Sequence, residues 1–123
     1  MRTEQRRSTR YRIDASVIIE AGERSDQHDT GEIVACQAID LSVTGFQVVL
    51  DQSIAIGRAV RVCLDLPKRD PTFVIGRVVW QLKLDNDYHH GLEVLKTKGS
   101  DAENWHRVVA EFAHSKQASI PAL

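Results

Sequence analysis

Long hydrophobic runs are missing from this sequence. No apolar stretch approaches the roughly 20 residues that a membrane-spanning helix needs. The start, MRTEQRRSTR, carries arginines where a secretory signal would carry an apolar core. Cysteine is scarce too. Cys36 and Cys63 are the only two, they show no paired spacing, and both lie in apolar strand-like runs. They read as reduced core thiols in a cytoplasmic protein. Aromatic residues make up only 6%, too few for the exposed stacking platforms of a barrel that binds single-stranded nucleic acid. A surplus of either charge is absent as well, with 16 Lys and Arg against 17 Asp and Glu. A protein that holds nucleic acid by counterion release is normally basic over a broad face.

What is present is an ordinary globular composition: 123 residues, 42% hydrophobic and 27% charged. That length suits one domain with one core and argues against disorder. The positive charge is concentrated at one point. Residues 1 to 12 hold Arg2, Arg6, Arg7, Arg10 and Arg12 against Glu4 alone, which favours a small anionic ligand over a polyanion. Residues 1–10 are expected to form a flexible Arg-rich segment, because no apolar residue is available to pack between Arg2 and Arg10. The domain proper is expected over 11–116, with a frayed tail at 117–123.

From Tyr11 the chain alternates, placing Tyr11, Ile13, Ala15, Val17 and Ile19 on one face of a first strand. The polar stretch 21–32, with Gly22 and Gly31 near its ends, reads as a mobile loop. Further strands are predicted at 33–40, 46–50, 59–66, 72–84 and 88–95. Gly57 marks a turn, two prolines break the pattern at 67–71, and Asp85-Asn86-Asp87 forms a hairpin. The chain then closes with a helix. Ser100 and Glu103 have capping-box spacing, and Trp105, Val108, Val109, Phe112 and Ala113 share one face. Six short strands and one terminal amphipathic helix make a small antiparallel β-barrel or sandwich with the helix packed outside.

Two short motifs stand out. R-x-x-x-R, from Arg6 to Arg10, precedes the first strand. D-x-S-x-x-G, from Asp40 through Ser42 to Gly45, lies between strands two and three. Either alone is weak, since arginines before a strand are usually a solvated tail and Asp-x-Ser-x-x-Gly is usually turn chemistry. Together, in this order and on this strand pattern, they resemble the PilZ domain, the bacterial receptor for cyclic di-GMP. The resemblance runs from about Glu4 to about Phe112 and includes the Gly57 turn and the GRVVW and HHGLEVL strands. It implies a mostly β fold, a six-stranded antiparallel β-barrel with a C-terminal amphipathic helix packed outside, in a stand-alone member without an output domain.

The resemblance implies that the arginine segment folds over cyclic di-GMP while D-x-S-x-x-G presents the ligand from the barrel surface. The chemistry suits those roles. A guanidinium is a planar fork of donors that matches a phosphate or the O6/N7 edge of guanine. Asp40 can accept from guanine N1–H and N2–H, Ser42 adds a short donor and acceptor, and Gly45 permits a turn and close backbone approach. Arg6 and Arg10 are the clamp, and Arg7 is either a contact or a spectator. Trp80, in register with Val74, Val78 and Leu82, is assigned first to the core and second to stacking on a guanine. Gly91 offers open space beside the ligand or a bend in the barrel.

Catalysis finds no support in the sequence. It has no G-x-S-x-G elbow, Walker loop or H-E-x-x-H, and its five histidines show no metal-site spacing. The protein is expected to bind the messenger without a cofactor and leave it intact. It would pass the signal by a conformational change to an unidentified protein partner in flagellar, polysaccharide, secretion or pilus machinery, with no nucleic acid and no membrane insertion. The alternatives are a PilZ-like adaptor that acts by protein contacts alone and, behind it, an OB-like single-stranded nucleic-acid binder.

Overall fold

The computed structural model describes residues 10–20 and 33–119, except for the side chains of Asp14 and residues 115–119. Arg6, Arg7 and the rest of residues 1–9, the stretch 21–32, and residues 120–123 lie outside the described residues. Six strands are formed: β1 (Tyr11–Glu20), β2 (Ile33–Leu41), β3 (Gly45–Leu50), β4 (Ala59–Asp65), β5 (Thr72–Leu84) and β6 (Asp87–Leu95). All neighbours are antiparallel, in the order β1-β2-β3-β6-β5-β4. β4 pairs back onto β1 and closes a barrel, so the sandwich alternative falls. Closure gives each of the six strands a hydrogen-bonded neighbour on both sides.

The period-two patterns supply the core. Ala15, Val17 and Ile19 of β1 point inward, as do Val60, Val62 and Leu64 of β4. Helix α1 (Trp105–Ser119) covers the core with Trp105, Val108, Val109 and Ala113 buried and Phe112 half-buried. This is the predicted face. Burying each of those valines contributes about 1.5–3 kcal/mol. Ser100 Oγ accepts from Ala102 N–H at 3.1 Å, but it caps a 3-10 turn (Asp101–Asn104) and not the α-helix, which starts at Trp105. The helix continues past 116, to Ser119. Among the described residues no helix is long and apolar enough to cross a membrane.

Register irregularities decide which way several side chains face. They fall between Arg12 and Ala15, between Ala38 and Asp40, and between Val78 and Trp80. An extra residue reverses the inside–outside alternation beyond it. In β5, Val74 and Val78 are buried as the period predicts, but past the bulge Leu82 is exposed and Trp80 is half-buried on the outer face. The assignment of Trp80 to the core is therefore corrected. Cys63 is corrected too: it alternates with buried Val62 and Leu64 and faces outward between Ile18 and Phe73. Cys36 lies against the core, and burial pushes its thiol up to about 12. Both thiols are free.

The same bulge turns Gln81 inward. Its Nε2 donates to Ser53 Oγ and to the Ile54 carbonyl, both at 2.8 Å. Ile54 N–H donates to Nε2 of the fully buried His90 at 3.0 Å, which leaves the ring proton on Nδ1. Among the described residues that nitrogen has no well-formed hydrogen bond. Burial lowers the pKa of His90 below the usual histidine value; the nearby Tyr88 backbone opposes the shift in part, and His89 adds to it. The β5–β6 hairpin turns as predicted, with Asp85 at φ 56°, a conformation its short polar side chain tolerates.

Candidate functional site

The D-x-S-x-x-G stretch folds as the end of β2 and the tight turn into β3. Ser42 N–H donates to the Gly45 carbonyl at 2.8 Å, and Gly45 N–H donates to the Ser42 carbonyl at 3.2 Å. This reciprocal pair closes a loop over Val43 and Thr44. The Ser42 side chain is buried; its Oγ lies 3.1 Å from Thr44 Oγ1 and accepts from Thr44 N–H at 3.4 Å. The hydroxyl thus serves the turn that contains it.

Two further contacts clamp this turn. Val94 N–H of β6 donates to the Thr44 carbonyl at 3.0 Å. Trp105 Nε1–H, at the start of α1, donates to the Ser42 carbonyl at 2.9 Å, while its ring packs on Phe46 with centroids 5.7 Å apart. Sequence reasoning took Trp105 as core face alone. A buried indole needs a partner for its N–H, and that need was the available signal. Gly45 answers to β6: a Cβ there would overlap the Leu92 carbonyl oxygen and come within 2.9 Å of its carbon. The expected close backbone approach is present, and it is made to the neighbouring strand.

Asp40 faces outward because of the irregularity between Ala38 and Asp40. Arg10 Nη1 donates to its Oδ1 at 3.0 Å, joining the two motifs across 30 residues of sequence. The Asp40 side chain is only 16% exposed, whereas Arg10 is 53% exposed. The carboxylate is therefore largely covered while the guanidinium stands at the surface with donors left over. A charge-assisted bond of this kind fixes the fork's position.

Arg10, Ser42, Gly45, Trp80, Gly91 and Glu93 border one open cleft of about 180 Å³. Asp40 joins the cleft through its bond to Arg10. The space at Gly91 is taken by Trp80: a Cβ there would overlap the indole at Nε1 and Cε2 and reach 2.6 Å from Cδ1, opposite the register irregularity of β5. The missing side chain lets the ring lie flat across β6. Thr44 and Glu93 also line an adjoining groove of about 600 Å³, which runs to Lys96, Trp105 and His106. Glu93 was not singled out in the sequence. It pairs with Arg77 across the β5–β6 ladder, Oε1 accepting from Nη2 at 2.8 Å.

The cleft offers a surface guanidinium, a rigid turn, an indole face and a carboxylate. Those groups can bind a flat anionic molecule with polar edges. Among the described residues no group of three His, Cys, Asp or Glu side chains could hold a metal ion.

Residues 4–111 match the family model described as the PilZ domain. Among solved structures, the fold is similar to the Bacillus subtilis inhibitor of motility, MotI/DgrA (TM-score 0.69, 17% identity, 94% of this chain and 55% of that one). It is similar to K. pneumonia MrkH in its complex with c-di-GMP (TM-score 0.70, 14% identity, 93% and 54%). A third likeness is to the PilZ domain of Escherichia coli YcgR with c-di-GMP (TM-score 0.66, 10% identity, 95% and 100%). At these identities the likeness is one of fold. The chain spans about half the length of MotI/DgrA and MrkH. No curated protein matches the sequence.

Proposed function

The chain belongs to the PilZ domain family, and on that premise we propose that it is a receptor that binds cyclic di-GMP in the cleft beside the Ser42–Gly45 turn. The observation that carries this reading is the pairing of Arg10 with Asp40 at the edge of that cleft. The two motifs are remote in sequence, and each is ordinary alone. Two of the similar structures hold c-di-GMP, which supports the same reading.

In this proposal Arg10 takes a phosphate or a guanine O6/N7 edge with the donors that Asp40 leaves free. Asp40 aims Arg10 and turns its remaining lone pairs to guanine N1–H and N2–H. Ser42 and Gly45 hold the turn on which the ligand rests, and Trp80, seated over Gly91, offers its outer face to a base. Drug-sized ligands occupy clefts of about 300–1,000 Å³, so a cyclic dinucleotide overfills the 180 Å³ available. Arg6 and Arg7, just ahead of Arg10, supply the cover. The ligand leaves unchanged, and the altered surface passes the signal to a protein partner of the flagellar, polysaccharide, secretion or pilus kind.

Calorimetric titration with cyclic di-GMP, cyclic di-AMP and a short oligonucleotide tests the proposal. The expected result is binding of cyclic di-GMP at least tenfold tighter than of the adenine analogue, persisting at moderate salt. Adenine lacks the N1–H and leaves a carboxylate unpaired, a loss of roughly 1–3 kcal/mol. Steep salt dependence with equal affinity for any polyanion would reduce the arginines to a sticky tail. Absence of nucleotide binding would leave the adaptor reading in its place.

A further inference from the structure

Cyclic di-GMP carries two guanines, so two N1–H/N2–H edges need acceptors, and Asp40, which already commits Oδ1 to Arg10, can serve only one of them. Among the described residues, the carboxylate that lines the cleft is Glu93. Resting on the receptor reading above and deepening it, we propose that Glu93 accepts from the Watson–Crick edge of a guanine and sets the base specificity of the site.

The placement follows from register. Gly45, Glu93 and Arg77 sit side by side across β3, β6 and β5. Gly91 lies two residues before Glu93 on the same outer face, about 7 Å along the strand, with the Trp80 indole lying over it. A purine laid against that indole directs an edge along β6 toward position 93. Gly45 adds no side chain that would stand between them.

Charge complementarity also fits. A carboxylate beside a dianionic ligand is unfavourable unless it receives hydrogen bonds. Guanine offers two parallel donors, N1–H and N2–H, which match the two oxygens of one carboxylate. Arg77 Nη2 occupies Glu93 Oε1 from the side at 2.8 Å, offsetting the negative charge and fixing the group's orientation while leaving acceptor capacity. Both partners of that pair are nearly half exposed, so the pair adds little to stability. Its position at the rim of the cleft suits recognition.

The variant Glu93→Gln is isosteric and keeps an acceptor for Arg77, but it replaces one acceptor with an amide donor. Adenine presents an N6–H donor beside the N1 acceptor, a pattern an amide matches and a carboxylate does not. Cyclic di-GMP and cyclic di-AMP are titrated into wild type and Glu93→Gln, with thermal unfolding as a check on the fold. The expected result is an unchanged Tm and a ratio of the two affinities that falls tenfold or more in the variant. A variant that keeps the wild-type ratio overturns the assignment of Glu93 and leaves the receptor reading standing. A wild-type protein that binds neither dinucleotide overturns the receptor reading, and this inference with it.

Discussion

Gly45→Ala separates a ligand contact from a structural requirement inside one motif. The added Cβ would overlap the Leu92 carbonyl oxygen, approach its carbon to 2.9 Å and lie 3.1 Å from Glu93 Cα. All three atoms belong to the β6 backbone, so no side chain can swing aside. Relief requires β3 to move away from β6, which strains the Gly45↔Glu93 and Phe46↔Leu92 pairs and the Val94–Thr44 hydrogen bond. Overpacking costs about 1–3 kcal/mol, and one weakened backbone bond adds about 1 kcal/mol. The sum is about 3 kcal/mol. At about 4 °C per kcal/mol for a domain of this size, the Tm should fall by about 12 °C. Domains carry about 5–15 kcal/mol of stability, so the variant should still fold when cool. The assay is thermal unfolding by circular dichroism without nucleotide. A variant with the wild-type Tm would refute the reasoning and return Gly45 to the ligand.

Three other outcomes are expected. Arg10→Ala should leave the Tm within about 4 °C, because a pair whose guanidinium stands at the surface contributes about 0–1 kcal/mol, yet it should weaken cyclic di-GMP binding by about 2–5 kcal/mol; near wild-type affinity by calorimetry would dismiss the clamp. Gly91→Ala should push the Trp80 indole off β6 into water, and an unchanged tryptophan emission maximum would contradict the observed stacking. His90 has a lowered folded pKa, so the unfolded chain binds the proton more readily. The stability owed to its neutral ring is complete above about pH 6.5 and is lost as pH falls through the depressed folded value. His90→Gln should flatten the Tm profile between pH 7.5 and 5, and parallel profiles for the two proteins would count against a buried neutral imidazole.

Much of the molecule is legible in local pattern. Alternation in β1 and β4 announces their buried faces because successive strand side chains point to opposite sides. Trp105, Val108, Val109, Phe112 and Ala113 announce the helix face by the 3.6-residue period. Asp85-Asn86 announces the hairpin because few other residues tolerate its backbone. The two motifs were legible as residues, but their joint geometry was not.

What the sequence by itself determined is therefore the set of elements, the side each regular stretch buries, and the residue types at the turn. Tertiary structure decided the closure of β4 onto β1, the bond between Arg10 and Asp40, the clamp of Trp105 on Ser42, and the arrival of Glu93 beside the cleft. It also decided the parity of β5 beyond Val78, which sent Trp80 outward over Gly91 and Gln81 inward to His90. The physical reason is the same in each case. A period is carried by neighbours along the chain, whereas a bulge, a close approach or an ion pair exists only once a second strand is alongside. Gly45 makes the point most simply: nothing near it in sequence forbids a side chain there, and the atom that does is the carbonyl oxygen of Leu92.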